Sequence, residues 1–165
     1  MYKLCLSIDK LNELIGKVSS WAIMLLAIVV VFEVIMRYFF NSPTIYSFEL
    51  TLMIYGFHFM IPAAYTLLHD SHVSIDIVHN LFSKKNKLII DIIGYIVFFF
   101  PFTGILLYQG TKFSAMSWVQ LERSGSVWRP PLYYIKTVLP LTMLLLLLQG
   151  ISIFYKKYRN FKEEK

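Results

Sequence analysis

Four apolar stretches, each about 20 residues long, constrain this chain more than any other feature, and the leucine run Leu144–Leu148 is the most obvious part of the last one. At about 1.5 Å of rise per residue, a helix of that length crosses a hydrocarbon core of roughly 30 Å. Nearly all of the 165 residues are committed to such spans or to the short segments between them. Hydrophobic residues make up 57% of the chain and charged residues 16%, against about 25% charged in an ordinary soluble domain. A water-soluble protein of this size has no interior large enough to hide that much apolar surface. The expected fold class is therefore all-α integral membrane, with residues 1–165 forming a single membrane domain.

The spans are expected at about residues 21–40, 46–68, 88–108 and 134–155. Ahead of them, Leu4, Ile8, Leu11, Ile15 and Val18 recur at helical spacing, with Lys3, Ser7, Lys10, Asn12 and Lys17 between them. That pattern predicts an N-terminal amphipathic helix lying at the membrane surface. Asn41-Ser42-Pro43 breaks the first hairpin, and Pro62 and Pro101 fall inside the second and third spans. Between spans two and three, Ile75, Val78, Leu81 and Phe82 share one face opposite Asp76, His79, Asn80 and Ser83, which predicts a short interfacial helix over about residues 74–83. A polar stretch from Gln109 to Trp128 is expected before the fourth span, and the charged tail from Lys156 is expected to fray. No internal repeat of fixed period stands out.

Positive charge sets the expected orientation. The N-terminal segment, the 69–87 connector and the tail together hold eleven Lys and Arg; Arg37, Lys112, Arg123, Arg129 and Lys136 make five on the other side. The richer side favours the cytoplasm. Both termini and the connector are thus expected to be cytoplasmic, and the 41–45 turn and the 109–133 segment external. The net charge of +6 belongs to this topology, not to nucleic acid. The single cysteine, Cys5, permits no internal disulfide or cysteine metal cluster. Asp9, Lys10 and Glu13 interrupt the apolar core that a cleaved signal needs, so the N-terminus is expected to be retained.

Charge inside a span is costly unless it is paired. Glu33 and Arg37 lie four residues apart, in the favourable order for a helical ion pair. Glu49 enters the second span just past the turn, at a depth similar to that of Arg37 if the two spans form a tight hairpin. These residues read either as a substrate or ion site or as an ion-pair cluster that clamps the hairpin, and the second reading is preferred. Only His58 lies mid-span, so no second axial ligand exists for a membrane haem; no cofactor is expected. No phosphate loop, zinc motif or glycine-flanked nucleophilic serine is present. The chain is not expected to be an enzyme.

Arg37-Tyr38-Phe39-Phe40-Asn41-Ser42-Pro43, followed by Ser47-Phe48-Glu49, resembles the first hairpin of the small membrane subunit of TRAP (tripartite ATP-independent periplasmic) transporters, the DctQ type. His72-Val73-Ser74-Ile75-Asp76 resembles that family's connector, and Trp128 to Pro140 its third block. The blocks follow the family's order over nearly the whole chain. Leu141 departs from the pattern, where a small residue, often glycine, is expected after Pro140.

The resemblance implies a secondary, sodium-gradient-driven importer of an organic acid, of the C4-dicarboxylate or sialic acid class, in a bacterial inner membrane. A large membrane subunit carries substrate and moves as an elevator, and a periplasmic substrate-binding protein delivers it. The small subunit scaffolds the large one within the lipid bilayer. Carried over, Glu33, Arg37, Asn41, Pro43 and Glu49 stabilise the first hairpin, His72 and Asp76 fix the connector, and Pro140 shapes the fourth span. Arg123 and Arg129 are the residues expected to contact the binding protein. The rival reading is a self-sufficient small proton-coupled transporter that uses Glu33 or Glu49.

Overall fold

Two long helical rods frame the molecule, and each carries an irregularity that its sequence explains. The computed structural model describes residues 2–69 and 84–163. In the first rod, α1 (Tyr2–Ser20) passes into α2 (Ala22–Tyr38) through one tightened turn, where the Trp21 N–H donates to the Val18 carbonyl at 3.3 Å. Asn41, with φ of 49°, ends the rod. That left-handed conformation is open to asparagine at little cost but disfavours branched side chains. The chain returns as α3 (Ser47–Met60) and α4 (Ala63–Leu68), interrupted at Ile61-Pro62, because proline supplies no N–H and crowds the preceding turn.

The second rod joins α5 (Lys84–Gly94), a π-helical turn (Tyr95–Phe99) and α6 (Phe100–Val119). The Phe100 N–H reaches five residues back to the Tyr95 carbonyl, just ahead of Pro101. Leu121, at φ 46°, closes α6. Its N–H donates to the Trp118 carbonyl and that of Glu122 to Ser117, the pairing usually built around glycine. Helix α7 (Tyr133–Glu163) completes the bundle.

Among the described residues, four helical stretches are long and apolar enough to cross a membrane: Lys3–Tyr38, Ser47–Leu68, Asn86–Val119 and Tyr133–Arg159. The all-α membrane architecture is thus present, but two ends differ from the sequence expectation. The third stretch runs to Val119, not Tyr108, because Gly110, Ser114 and Ser117 are buried against α7 and do not form a loop. At 34 residues it extends about 51 Å. The tail does not fray at Lys156: α7 remains helical to Glu163, with Lys156 bonded to Asp9 and Lys157 to Asp91. The expected interfacial helix at 74–83 lies outside the described residues, as do His72 and Asp76.

Helix α7 is the centre. It packs on α1, α3, α4, α5 and α6, and 44% of its most apolar window is buried, against 6% for each of the two rods. Polarity is inverted relative to a soluble protein. Asn12, Ser19, Thr103, Ser117, Thr142, Gln149 and Ser152 are buried, while leucines, isoleucines and phenylalanines cover the outside. Hydrocarbon tails are as apolar as leucine, so close approach of small and polar residues, not apolar burial, holds such helices together. Two glycines mark the closest approaches. Tyr65 of α4 sits directly over Gly16 of α1, and the Phe99 ring sits over Gly150 of α7.

The N-terminal helix departs most from expectation. Leu4, Leu11 and Val18 do face outward, but so do Lys3, Lys10 and Lys17. The side it buries is Cys5, Asn12, Gly16 and Ser19. Glu13 meets His69, Gly16 meets Tyr65 and the Ser19 carbonyl meets His58, so the C-terminal half of α1 runs antiparallel to α4 and the end of α3. The reason is that its polar side has partners on α4 and α7 that pattern alone does not reveal.

Candidate functional site

Three carboxylates sit against the bundle with only part of their surface exposed, and each is held by a different kind of partner. Glu33, one turn before the end of α2, accepts from Arg37 Nη2 at 2.7 Å and Nε at 3.2 Å on one oxygen. Its other oxygen accepts from the Thr44 hydroxyl and from the Thr44 N–H at 3.2 Å. Thr44 in turn bonds the buried Ser47 at the start of α3. One carboxylate therefore ties the end of α2 to the start of α3 through the 41–46 turn. Asn41 and Pro43 occupy the exposed tip of that turn. A cleft of about 270 Å³ opens beside it, lined by Val30, Val34, Arg37, Tyr38, Phe48 and Thr51 together with Glu33 and Ser47.

Glu49 does not join that cluster. It reaches across to the segment between α6 and α7, accepting from the Ser124 and Ser126 hydroxyls, the second at 2.6 Å. The segment is braced from within. Ser124 N–H donates to the Pro130 carbonyl at 2.9 Å, Leu132 N–H to Glu122 at 2.9 Å, and Arg123 Nη1 to the Arg129 carbonyl at 3.4 Å. Arg129 itself takes φ of 50°. Lys136 pairs with Glu122 and lies 4.2 Å from the Phe113 ring centre; its ammonium holds the Glu122 carboxyl below the usual carboxylate range. Arg123 and Arg129 therefore stand exposed on a fixed loop. Ser124-Gly125-Ser126, which reads as a flexible stretch in sequence, supplies both of the Glu49 ligands.

The third carboxylate, Asp9, has no precedent in the sequence reading. It accepts from Gln149 Nε2 at 3.0 Å, from the Ser152 hydroxyl at 2.9 Å and from Lys156. Asn12 Nδ2 donates to Gln149 Oε1 at 2.8 Å. A polar seam thus joins α1 to α7 at the end of the bundle that carries both termini. Gln149 and Ser152 are fully buried and Asn12 nearly so. The available signal was spacing: Asp9 and Asn12 at i, i+3, and Gln149, Ser152 and Lys156 at i, i+3, i+7, each along one helix face. A leucine-rich context concealed it.

Pro140 lies within α7, close to the point where Gly110 of α6 meets Leu139. Beside it, Trp118 Nε1 donates to the Thr137 hydroxyl at 2.8 Å, and its ring packs tilted against Tyr133, with ring centres 4.5 Å apart. His58 makes a 3.4 Å contact to the Ser19 carbonyl, joining α3 to the α1–α2 junction. Among the described residues, no group of three or more histidine, cysteine or acidic side chains converges on one point. Chemically, these arrangements fix helices to one another.

Comparison with known families decides what such a bundle belongs to. The family described as tripartite ATP-independent periplasmic transporters, DctQ component, matches residues 26–160. The chain belongs to the DctQ family. No curated protein matches it. The match begins within α2 and ends within α7. It therefore includes Glu33, Arg37, Glu49, the 121–132 loop and Pro140, and excludes α1. As a DctQ component the chain is a small permease subunit of a TRAP transporter, a transport protein of the membrane.

Proposed function

We propose that this DctQ subunit is a non-catalytic scaffold for the large elevator subunit of a sodium-gradient-driven importer of an organic acid, of the C4-dicarboxylate or sialic acid class. It sits in a bacterial inner membrane with both termini cytoplasmic. The observation that carries the reading is the satisfaction of the carboxylates. Glu33 is bonded by Arg37 and Thr44, Glu49 by two serines, and Asp9 by Lys156, Gln149 and Ser152. A coupling carboxylate must take up and release an ion or proton at each cycle, and groups tied into helix contacts on both oxygens are poorly suited to that. Rods of about 54 and 51 Å set around one central helix suit a part that must stay still while a neighbour slides.

The test is reconstitution. The chain alone in vesicles should transport nothing, whereas co-expression with the large subunit and the binding protein should restore uptake. In the complete system, Glu33→Gln should retain uptake, because the amide oxygen still accepts from Thr44. Uptake by the chain alone, abolished by Glu33→Gln or Glu49→Gln, would establish the proton-coupled alternative instead.

Arg123 and Arg129 are proposed to meet the binding protein at the periplasmic rim. They are exposed on a loop already ordered by Glu49, so docking there costs little chain entropy. Reversing both to glutamate should weaken binding-protein-dependent uptake about tenfold, as a loss of 1.4 kcal/mol would, with the subunit's melting temperature unchanged. Unaltered uptake would rule out the contact.

A further inference from the structure

Among the described residues, the carboxylates are of two kinds. Asp9, Glu13, Glu33, Asp91 and Glu122 each have a lysine or an arginine against them. Glu49 has the Ser124 and Ser126 hydroxyls instead. A hydroxyl donates a hydrogen bond but carries no charge, so the two serines orient this carboxylate without neutralising it. They take two of its roughly four lone-pair sites and leave the others open. Lys136 and Arg37 do not fill them, being committed to Glu122 and Glu33.

A recess of about 170 Å³ opens on Glu49, and its other walls are Leu52, Met53, Leu132 and Ile135. Glu49 to Met53 and Leu132 to Ile135 each cover about one turn, so the recess is about 6 Å deep along the bundle. That matches the polar layer on one face of a bilayer, also about 6 Å, and is too short for an acyl chain. The level agrees. Glu49 lies in the first turn of α3 and Leu132 immediately precedes α7. The rings of Tyr46 and Trp128, with centres 6.1 Å apart, mark the interface beside them. The loop that carries Ser124 and Ser126 closes over Glu49 from beyond the helix ends. Leu52, at 53% exposed, leaves the recess open sideways.

An unneutralised carboxylate among four apolar walls excludes most occupants. Water pairs with the carboxylate but not with the walls, and an acyl chain does the reverse. An anionic headgroup is repelled by Glu49, and a quaternary ammonium has no N–H to donate. A primary ammonium on a short carbon stem satisfies both parts of the site. We propose that the recess holds the headgroup of a phospholipid ending in a primary ammonium, the phosphatidylethanolamine class, from the leaflet on the side of the 41–46 turn. Its ammonium donates to the open lone pairs of Glu49 and neutralises the charge where α3 meets the α6–α7 loop. The site goes beyond the scaffold reading and does not depend on it.

The test is native mass spectrometry of the full chain in detergent. The competing lipids are phosphatidylethanolamine, phosphatidylcholine and phosphatidylglycerol with identical acyl chains. The unmodified chain should retain one phosphatidylethanolamine about tenfold over either competitor, the scale of one charge-assisted hydrogen bond. Glu49→Gln should abolish the preference. Leu52→Trp, which fills the open side and leaves the carboxylate in place, should lower retention by a similar factor at an unchanged melting temperature. Equal retention of the three lipids by the unmodified chain would overturn the site, as would a preference that survives either substitution. If Glu49→Gln does not fold, Leu52→Trp alone decides. Carbodiimide coupling of Glu49 to a protein lysine in native membranes, in place of a lipid amine, would give the recess to a protein partner and overturn the lipid site.

Discussion

Gly16→Ala should drive α1 away from α4 and lower stability by about 3 kcal/mol, the upper part of the usual range for overpacking. A methyl group there would lie 2.4 Å from Tyr65 Cβ and 2.3 Å from its Cγ. These are the atoms nearest the α4 backbone, so no rotamer of Tyr65 relieves the clash. Tyr65→Ala should therefore fail to rescue Gly16→Ala, because the offending Cβ remains. Gly150 provides the contrast. A methyl group there first meets the Phe99 ring, at 2.1 Å from Cε1 and 2.7 Å from Cζ. Gly150→Ala should be rescued by Phe99→Ala, beyond what either single change predicts. Thermal unfolding of the purified subunit in detergent, across both double-mutant cycles, separates the cases. Rescue of Gly16→Ala by Tyr65→Ala would mean that α1 is not seated on α4 as described.

Asp9→Leu is expected to cost a further large share of stability, about 3 kcal/mol, because it leaves the Lys156 ammonium, the Gln149 amide and the Ser152 hydroxyl without their shared acceptor. The Asp9 side chain is 14% exposed and that of Lys156 36%, so water replaces part of the lost contact and the loss falls at the bottom of the roughly 3–5 kcal/mol that breaking a buried pair costs. Replacing both charges, Asp9→Leu with Lys156→Leu, should recover much of the loss, since an apolar pair of similar size carries no stranded charge. A melting curve for Asp9→Leu within about 0.5 kcal/mol of the unaltered protein would show that α1 does not depend on the seam.

Much of the architecture was readable because the bilayer imposes a length and a polarity that depend only on local sequence. The four spans, the break at Pro62 and the Glu33–Arg37 pair all involve residues within a few positions of each other. The course of α6 was not readable, because Gln109 to Ser117 is polar by composition and helical by packing. Gly110, Ser114 and Ser117 look like loop residues until α7 lies against them. The partners of Glu49 were also out of reach, being 75 and 77 residues away along the chain.

By itself, then, the sequence determined that this is a four-span helical membrane protein of the DctQ pattern, with its charges concentrated at the ends. Hydrophobic length and charge placement are local quantities, and they survive without a fold. Only the tertiary structure decided which side of α1 faces inward, that Asp9 and Gln149 join it to α7, and that Glu49 organises a loop and not a hairpin. In a membrane the apolar surface faces out, so the hydrophobic stripe no longer marks the core. The buried face is instead chosen by close approach and polar pairing between distant segments, which no single stretch of sequence contains.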